Sequence, residues 1–142
     1  MTIAPASAQI LPLPMSACPN ARLALFAIRR IGAHGLGDAH AAHALLNAFG
    51  EGFRRPLVLM RALMADIAGT AVNPISIAPC CCNRMTTAED AVLTILARVE
   101  TTPDTARLLL ADLLGVRRID GVLASAAALA AAFADSGRPI SG

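Results

Sequence analysis

The chain has 142 residues, twelve of them basic and ten acidic, for a formal charge of +2. A chain of this length buries roughly two-thirds of the surface its unfolded form exposes, so it needs neither a disulfide nor a metal merely to have a core. So small a basic excess argues against a dedicated nucleic-acid binder, because phosphate neutralisation demands a strongly basic face.

Hydrophobic residues make up 56% of the chain but aromatics only 3%, so the core must consist of Leu, Ile, Val, Met and close-packed Ala. Lysine is absent, and every basic residue is arginine. Mean hydropathy is +0.59. Even so, Arg29, Arg30, Arg61, Asp66, Asp120 and Asp135 interrupt or bound the most apolar segments, and no membrane span is expected. The first twenty residues carry neither Lys nor Arg, so no secretory signal is expected. The expected compartment is the cytoplasm, where four cysteines are free thiols or metal ligands rather than disulfides.

In chain order, residues 1–17 are rich in Pro, Ala and Ser and read as a flexible or extended tail. Pro19 fits a first helical position, and Leu23, Phe26, Ala27 and Ile31 recur at helical spacing. Arg29 and Arg30 fall in that helix's last turn, where positive charge suits the dipole, and Gly32, Gly35 and Gly37 end it. Asp38 caps a second helix reaching Phe49, with Ala42, Leu45, Leu46 and Phe49 on its apolar face. Pro56 fits the first turn of a third, whose stripe is Leu57, Met60, Met64 and Ile67 and which stops at Gly69.

Residues 70–79 change character. Val72, Ile75 and Ile77 alternate with Asn73 and Ser76, which predicts a short extended segment bounded by Pro74 and Pro79. Thr86 and Glu89 form a capping-box pattern for a fourth helix that buries Val92, Leu96 and Val99. Thr102, Pro103 and Asp104 open a fifth, carrying Leu109, Leu110, Leu113 and Leu114 to Gly115. Asp120 caps a sixth, from Gly121 to about Ala134. The predicted fold is all-α: one helical domain over residues 18–137, a compact bundle of five to six short helices with one extended segment before the cysteine loop, and a second tail at 138–142.

The distinctive chemistry is the run Cys80-Cys81-Cys82, placed in a loop, where function concentrates. With Cys18 it supplies four thiols, the number used by a closed zinc site or a small iron–sulfur cluster. Adjacent residues of an extended chain project in opposite directions, so Cys80 and Cys82 can face one way while Cys81 faces the other. The leading expectation is a zinc or iron–sulfur site built from Cys18, Cys80 and Cys82, with Cys81 or His34 as further candidates, in a structural or sensing role. A reactive redox thiol stabilised by Arg84 and the following helix N-terminus is a second reading of the same loop. Plain apolar packing of the cysteines is a third.

His40 and His43 share a helix face, but no matching carboxylate ladder accompanies them, and exposed or capping roles suit them better. The stretch from Gly32 to Gly37 follows no strand and lacks a Lys-Ser/Thr partner, so helix termination explains its glycines better than phosphate binding. The pairs Arg29-Arg30, Arg54-Arg55 and Arg117-Arg118 could bind an anion or an acidic partner if they converged. A metal-free helical module that binds a protein partner is therefore the alternative from a different class. No arrangement supports hydrolytic chemistry.

The stretches Cys18-Pro19-Asn20-Ala21-Arg22-Leu23, Ala27-Ile28-Arg29-Arg30 with His34-Gly35-Leu36, Arg55-Pro56-Leu57-Val58 and Ala78-Pro79-Cys80-Cys81-Cys82 carry a resemblance. Through them the chain resembles an uncharacterised bacterial domain-of-unknown-function family of short, alanine- and arginine-rich proteins, over most of residues 16–139. The resemblance implies no activity, ligand or catalytic residue.

Overall fold

The structure is a computed structural model and describes residues 3–5 and 13–141. Its elements run β1 (Ile3–Pro5), β2 (Leu13–Pro14), α1 (Pro19–His34), α2 (Ala39–Phe49), a 3-10 turn (Gly50–Phe53), α3 (Arg54–Thr70), β3 (Ile75–Ile77), β4 (Arg84–Met85), α4 (Thr87–Arg98), α5 (Pro103–Leu114) and α6 (Asp120–Asp135). The fold is a mostly helical bundle, as the spacing of apolar residues predicts.

Local chemistry fixes most helix starts. Cys18 and Asp38 cap α1 and α2 by accepting the backbone N–H of Ala21 and Ala41. Thr86 and Glu89 complete a reciprocal capping box at α4. Pro103 sits in the first turn of α5, and Gly115 ends that helix in the left-handed region at φ 73°. The 3-10 turn runs directly into α3, and Pro56 lies in that helix's first turn as expected. Two boundaries differ from expectation. Gly32 and Gly69 are absorbed into the last turns of α1 and α3, and the chain leaves α1 only at Gly35, with φ 102°.

The core face of α1 is Ala21, Ala24, Leu25, Ile28 and Ile31, with Ala27 also buried. Leu23 and Phe26, expected on that face, are only half-buried. In α2 Ala41 and Leu45 are buried while Leu46 is exposed. The expected stripes of α3 and α4 are buried as predicted. Alanine-rich α6 lies along α3, and Phe133 at its end meets the Phe49 ring edge-on at 4.9 Å. Close approach of two helices is what small residues permit.

The segment expected to be a flexible or extended tail supplies strands. β1 pairs in parallel with β3, Ile3 opposite Ile75 and Pro5 opposite Ile77. β2 pairs antiparallel with β4, Leu13 opposite Met85 and Pro14 opposite Arg84. The rest of that segment, residues 1–2 and 6–12, lies outside the described residues. The described C-terminal residues also pack. Arg138 donates to the Ala48 carbonyl at 2.9 Å and covers the Phe49 ring, and Ile140 is buried. Among the described residues, no helix is long and apolar enough to cross a membrane.

Candidate thiol site

The cysteine loop is built on a buried ion pair. Arg29 lies on the inner face of α1, one turn after Leu25, and only 2% of it is exposed. Its Nε donates to Glu89 Oε2 at 2.8 Å and one terminal nitrogen donates to Oε1 at 3.1 Å, a bidentate pair. The same guanidinium donates to the carbonyls of Cys82 at 2.7 Å and Arg84 at 2.8 Å. Glu89 in turn accepts the N–H of Ala78 at 3.1 Å and of Thr86 at 2.9 Å. Both of its oxygens therefore take two hydrogen bonds, the full capacity of a carboxylate.

A buried ion pair returns little net stability unless its hydrogen bonds are completed. Here they are completed by the backbone of residues 78–86, so the energy of the pair is bound up with the position of that loop. Within it Cys82 N–H donates to Pro79 O at 3.0 Å and closes a turn through the cysteines. Cys81 is exposed while Cys80 and Cys82 are half-buried, and all are free thiols. The hydrogen bond makes this stretch a turn rather than an extended strand, so alternation along an extended chain does not describe it.

The next residue, Arg30, faces the other way. Its Nε and one terminal nitrogen donate to the two carboxylate oxygens of Asp38 at 3.1 and 3.0 Å, and that nitrogen lies 2.9 Å from His40 Nδ1. The hydrogen bonds from Arg30 hold the Asp38 carboxyl well below its usual range, at about 2, with the Ala41 N–H and the charges of Arg30 and His40 adding to the effect against burial. Reciprocally, Arg30 is kept more firmly charged than a free guanidinium. The Asp38 hydrogen bond is the largest cause, and the charge and hydrogen bonding of the Cys80 side chain contribute. Adjacent arginines thus straddle the loop: Arg29 fixes its backbone from within and Arg30 places a fixed cation beside the Cys80 sulfur.

Cys18 occupies a different place. It stands at the start of α1, eleven positions before Arg29 in the sequence, roughly 16 Å at 1.5 Å per residue. Its sulfur lies 3.9 Å from the Pro139 carbonyl and accepts the Ala21 N–H at 3.4 Å. Burial pushes the Cys18 thiol up, but hydrogen bonds from the Ser141 side chain and backbone, with those from the Ala21 and Asn20 backbone, outweigh it and bring it down to about 7. Its tertiary partners belong to the C-terminal residues rather than to the cysteine loop, and among the described residues Cys18, Cys80 and Cys82 form no ligand group. His34 is an exposed residue at the far end of α1. Among the described residues, no group of three or more His, Cys, Asp or Glu side chains is placed to hold a metal ion.

The arginine pairs do not converge either. Arg55 reaches Asp135 at the end of α6, whereas Arg117 and Arg118 precede its start, roughly 24 Å away along a 16-residue helix. Sequence reasoning missed Arg29, Glu89 and Arg30 as partners of the loop. A signal was present for the first: Arg29 follows Leu25 by four residues, which puts a charge on the apolar stripe.

The model of a family described as Family of unknown function (DUF6628) matches residues 3–100. That stretch contains Cys18, Arg29, Arg30, Asp38, the cysteine turn and Glu89, and ends before α5. No curated protein and no solved structure matches the chain.

Proposed function

From a chain that belongs to the DUF6628 family of unknown function, we propose a thiol–disulfide exchange protein in which Cys80 and Cys82 form the reactive pair. The observation that carries this reading is the Arg30 guanidinium, fixed by Asp38 and set against the Cys80 side chain. The guanidinium is in place before the reaction begins, where it can meet the charge that moves between sulfurs during exchange.

The reaction needs only a disulfide as co-substrate. The Cys80 thiolate attacks one sulfur of a disulfide RSSR, forming a mixed disulfide and expelling RS⁻. Cys82 then gives up its proton and attacks the Cys80 sulfur, expelling the second RS⁻ and closing Cys80–Cys82. Two protein thiols are oxidised, one RSSR is reduced to two RSH, and the reverse sequence regenerates the dithiol. Two Cα–Cα steps of about 3.8 Å folded through a turn bring the Cα atoms of residues 80 and 82 into the ~4.4–6.8 Å range that a disulfide spans. Cys81, turned outward, is not needed for closure. Anchoring of Cys82 O and Arg84 O on Arg29 limits the chain entropy lost when the bridge forms.

Exchange kinetics test the assignment. Arg30→Gln slows the reaction of Cys80 with a small aromatic disulfide while leaving the helical spectrum intact. In a Cys18→Ser background, which removes the thiol brought down to about 7, Cys80→Ser abolishes the remaining fast phase and Cys81→Ser retains it. An Arg30→Gln rate equal to that of the parent chain would refute the role given to the guanidinium.

A further inference from the structure

A dithiol that lies half-exposed on a pinned turn can also serve as a ligand, and its geometry selects what it takes. Zinc and iron–sulfur clusters need three or four protein donors. Among the described residues, no group of three or more His, Cys, Asp or Glu side chains is placed to hold a metal ion. The ligand class that fits is one satisfied by two sulfurs. We propose that Cys80 and Cys82 chelate a trivalent arsenical, a thiophilic centre that keeps one substituent and offers two valences to the protein.

Three features of the turn support this. Both neighbouring backbone stretches are fixed, through Cys82 O and Arg84 O on Arg29 and through Ala78 N–H on Glu89, so the two thiols are presented together with little freedom left to lose. The Cys82 N–H to Pro79 O bond folds the turn, in which Cys80 and Cys82 are half-buried and Cys81 is exposed. Arsenic–sulfur bonds are longer than the ~2.05 Å sulfur–sulfur bond, so the bridge tolerates a wider sulfur separation than a disulfide does. Soft sulfur ligands also prefer soft centres over the hard cations that carboxylates bind.

With an arsine oxide RAsO, two arsenic–sulfur bonds form and the arsenic–oxygen bond breaks. The oxygen leaves as water with the two thiol protons. Arsenic remains trivalent and no oxidant or reductant is consumed. The inference rests on the Cys80–Cys82 pairing of the exchange reading but not on exchange itself.

The test treats the full, reduced chain with phenylarsine oxide and follows intact mass and the pattern of protection from alkylation. The expected product gains the mass of one phenylarsine oxide less one water, protects Cys80 and Cys82 but not Cys81 or Cys18, survives excess glutathione and is removed by a small dithiol. Cys81→Ser and Cys18→Ser keep that adduct. Cys82→Ser binds on the order of a hundredfold more weakly, since it loses the second, intramolecular attachment. Protection mapping on the parent chain gives the same answer if Cys82→Ser fails to fold. Absence of the adduct, its removal by glutathione, or protection of Cys81 in place of Cys82 overturns the inference. Disulfide exchange scored on the same sample separates the two claims: exchange without the adduct removes this one alone, and the adduct without exchange removes only the proposed redox function.

Discussion

Arg29 and Glu89, sixty residues apart in the chain, meet in a bidentate pair whose side chains are each only 1% exposed. The pair joins α1 to the start of α4, and its remaining hydrogen bonds go to the backbone of the cysteine loop.

Breaking that pair from one side leaves an uncompensated buried charge. Arg29→Met is expected to cost about 3–5 kcal/mol, and Glu89→Gln a similar order. Urea denaturation measures the loss. A double Arg29→Met, Glu89→Met chain recovers part of it, yet the amides of Ala78 and Thr86 lose their acceptor and should exchange with solvent much faster than in the parent chain. Unchanged protection of those amides would show that the pair does not hold the loop.

Much of the fold was legible because its signals are local. The caps at Asp38 and Thr86, the box completed by Glu89 and the proline at 103 are each read within four residues and recur in the structure. Pairing of β1 with β3 joins Ile3 to Ile75, and no local pattern encodes a contact of that separation. The same limit applied to the site. The half-burial of Cys80 and Cys82 beside exposed Cys81 comes from a turn, which alternation along an extended chain does not describe, whereas Arg29 reads locally as a charge suited to the helix dipole and Glu89 as a cap alone. Each has that local reading, and only the bundle reveals that they face one another. Cys18 joins the loop thiols only by count, and its tertiary partners, Pro139 and Ser141, are contacts that no local pattern encodes.

Labelling of Cys18 should titrate near pH 7, below the ordinary thiol value of 9.0. Because its folded value is depressed, its contribution to stability is fully present above the unfolded value, around 9, and is lost as pH falls through about 7. Stability should therefore rise from this group between pH 7 and 9. Peptide-resolved alkylation across that range checks the midpoint, and Ser141→Ala should move it upward. A midpoint that ignores Ser141 contradicts the hydrogen-bond account.

Asp38 combines a helix cap with the anchor for Arg30. Asp38→Ala should cost about 1 kcal/mol from the lost cap alone. Its carboxyl titrates at about 2 rather than 3.8, so the stabilisation is complete above the unfolded value and disappears as pH falls from about 4 towards 2. Acid titration of parent and variant should show curves that converge in that window, and parallel curves would rule the linkage out.

Gly115 ends α5 at φ 73°, and an added Cβ there would stand 2.6 Å from the Asn73 side-chain nitrogen. Gly115→Ala should destabilise by about 1–2 kcal/mol from the left-handed backbone, with the displaced Asn73 adding to it. Thermal unfolding measures the shift, and Asn73→Ala in the same chain should relieve the steric part only.

The central claim is that Cys80 and Cys82 exchange as a pair. Its most direct measurement is equilibration of the chain in glutathione redox buffers of graded potential, acid quenching and mapping of the linkages by mass spectrometry. The account predicts one cooperative two-electron transition with a loss of two hydrogens, a Cys80–Cys82 bridge, and Cys81 and Cys18 still free. Independent one-electron-equivalent glutathionylation of each cysteine, or a bridge that includes Cys81 and omits Cys82, would contradict it.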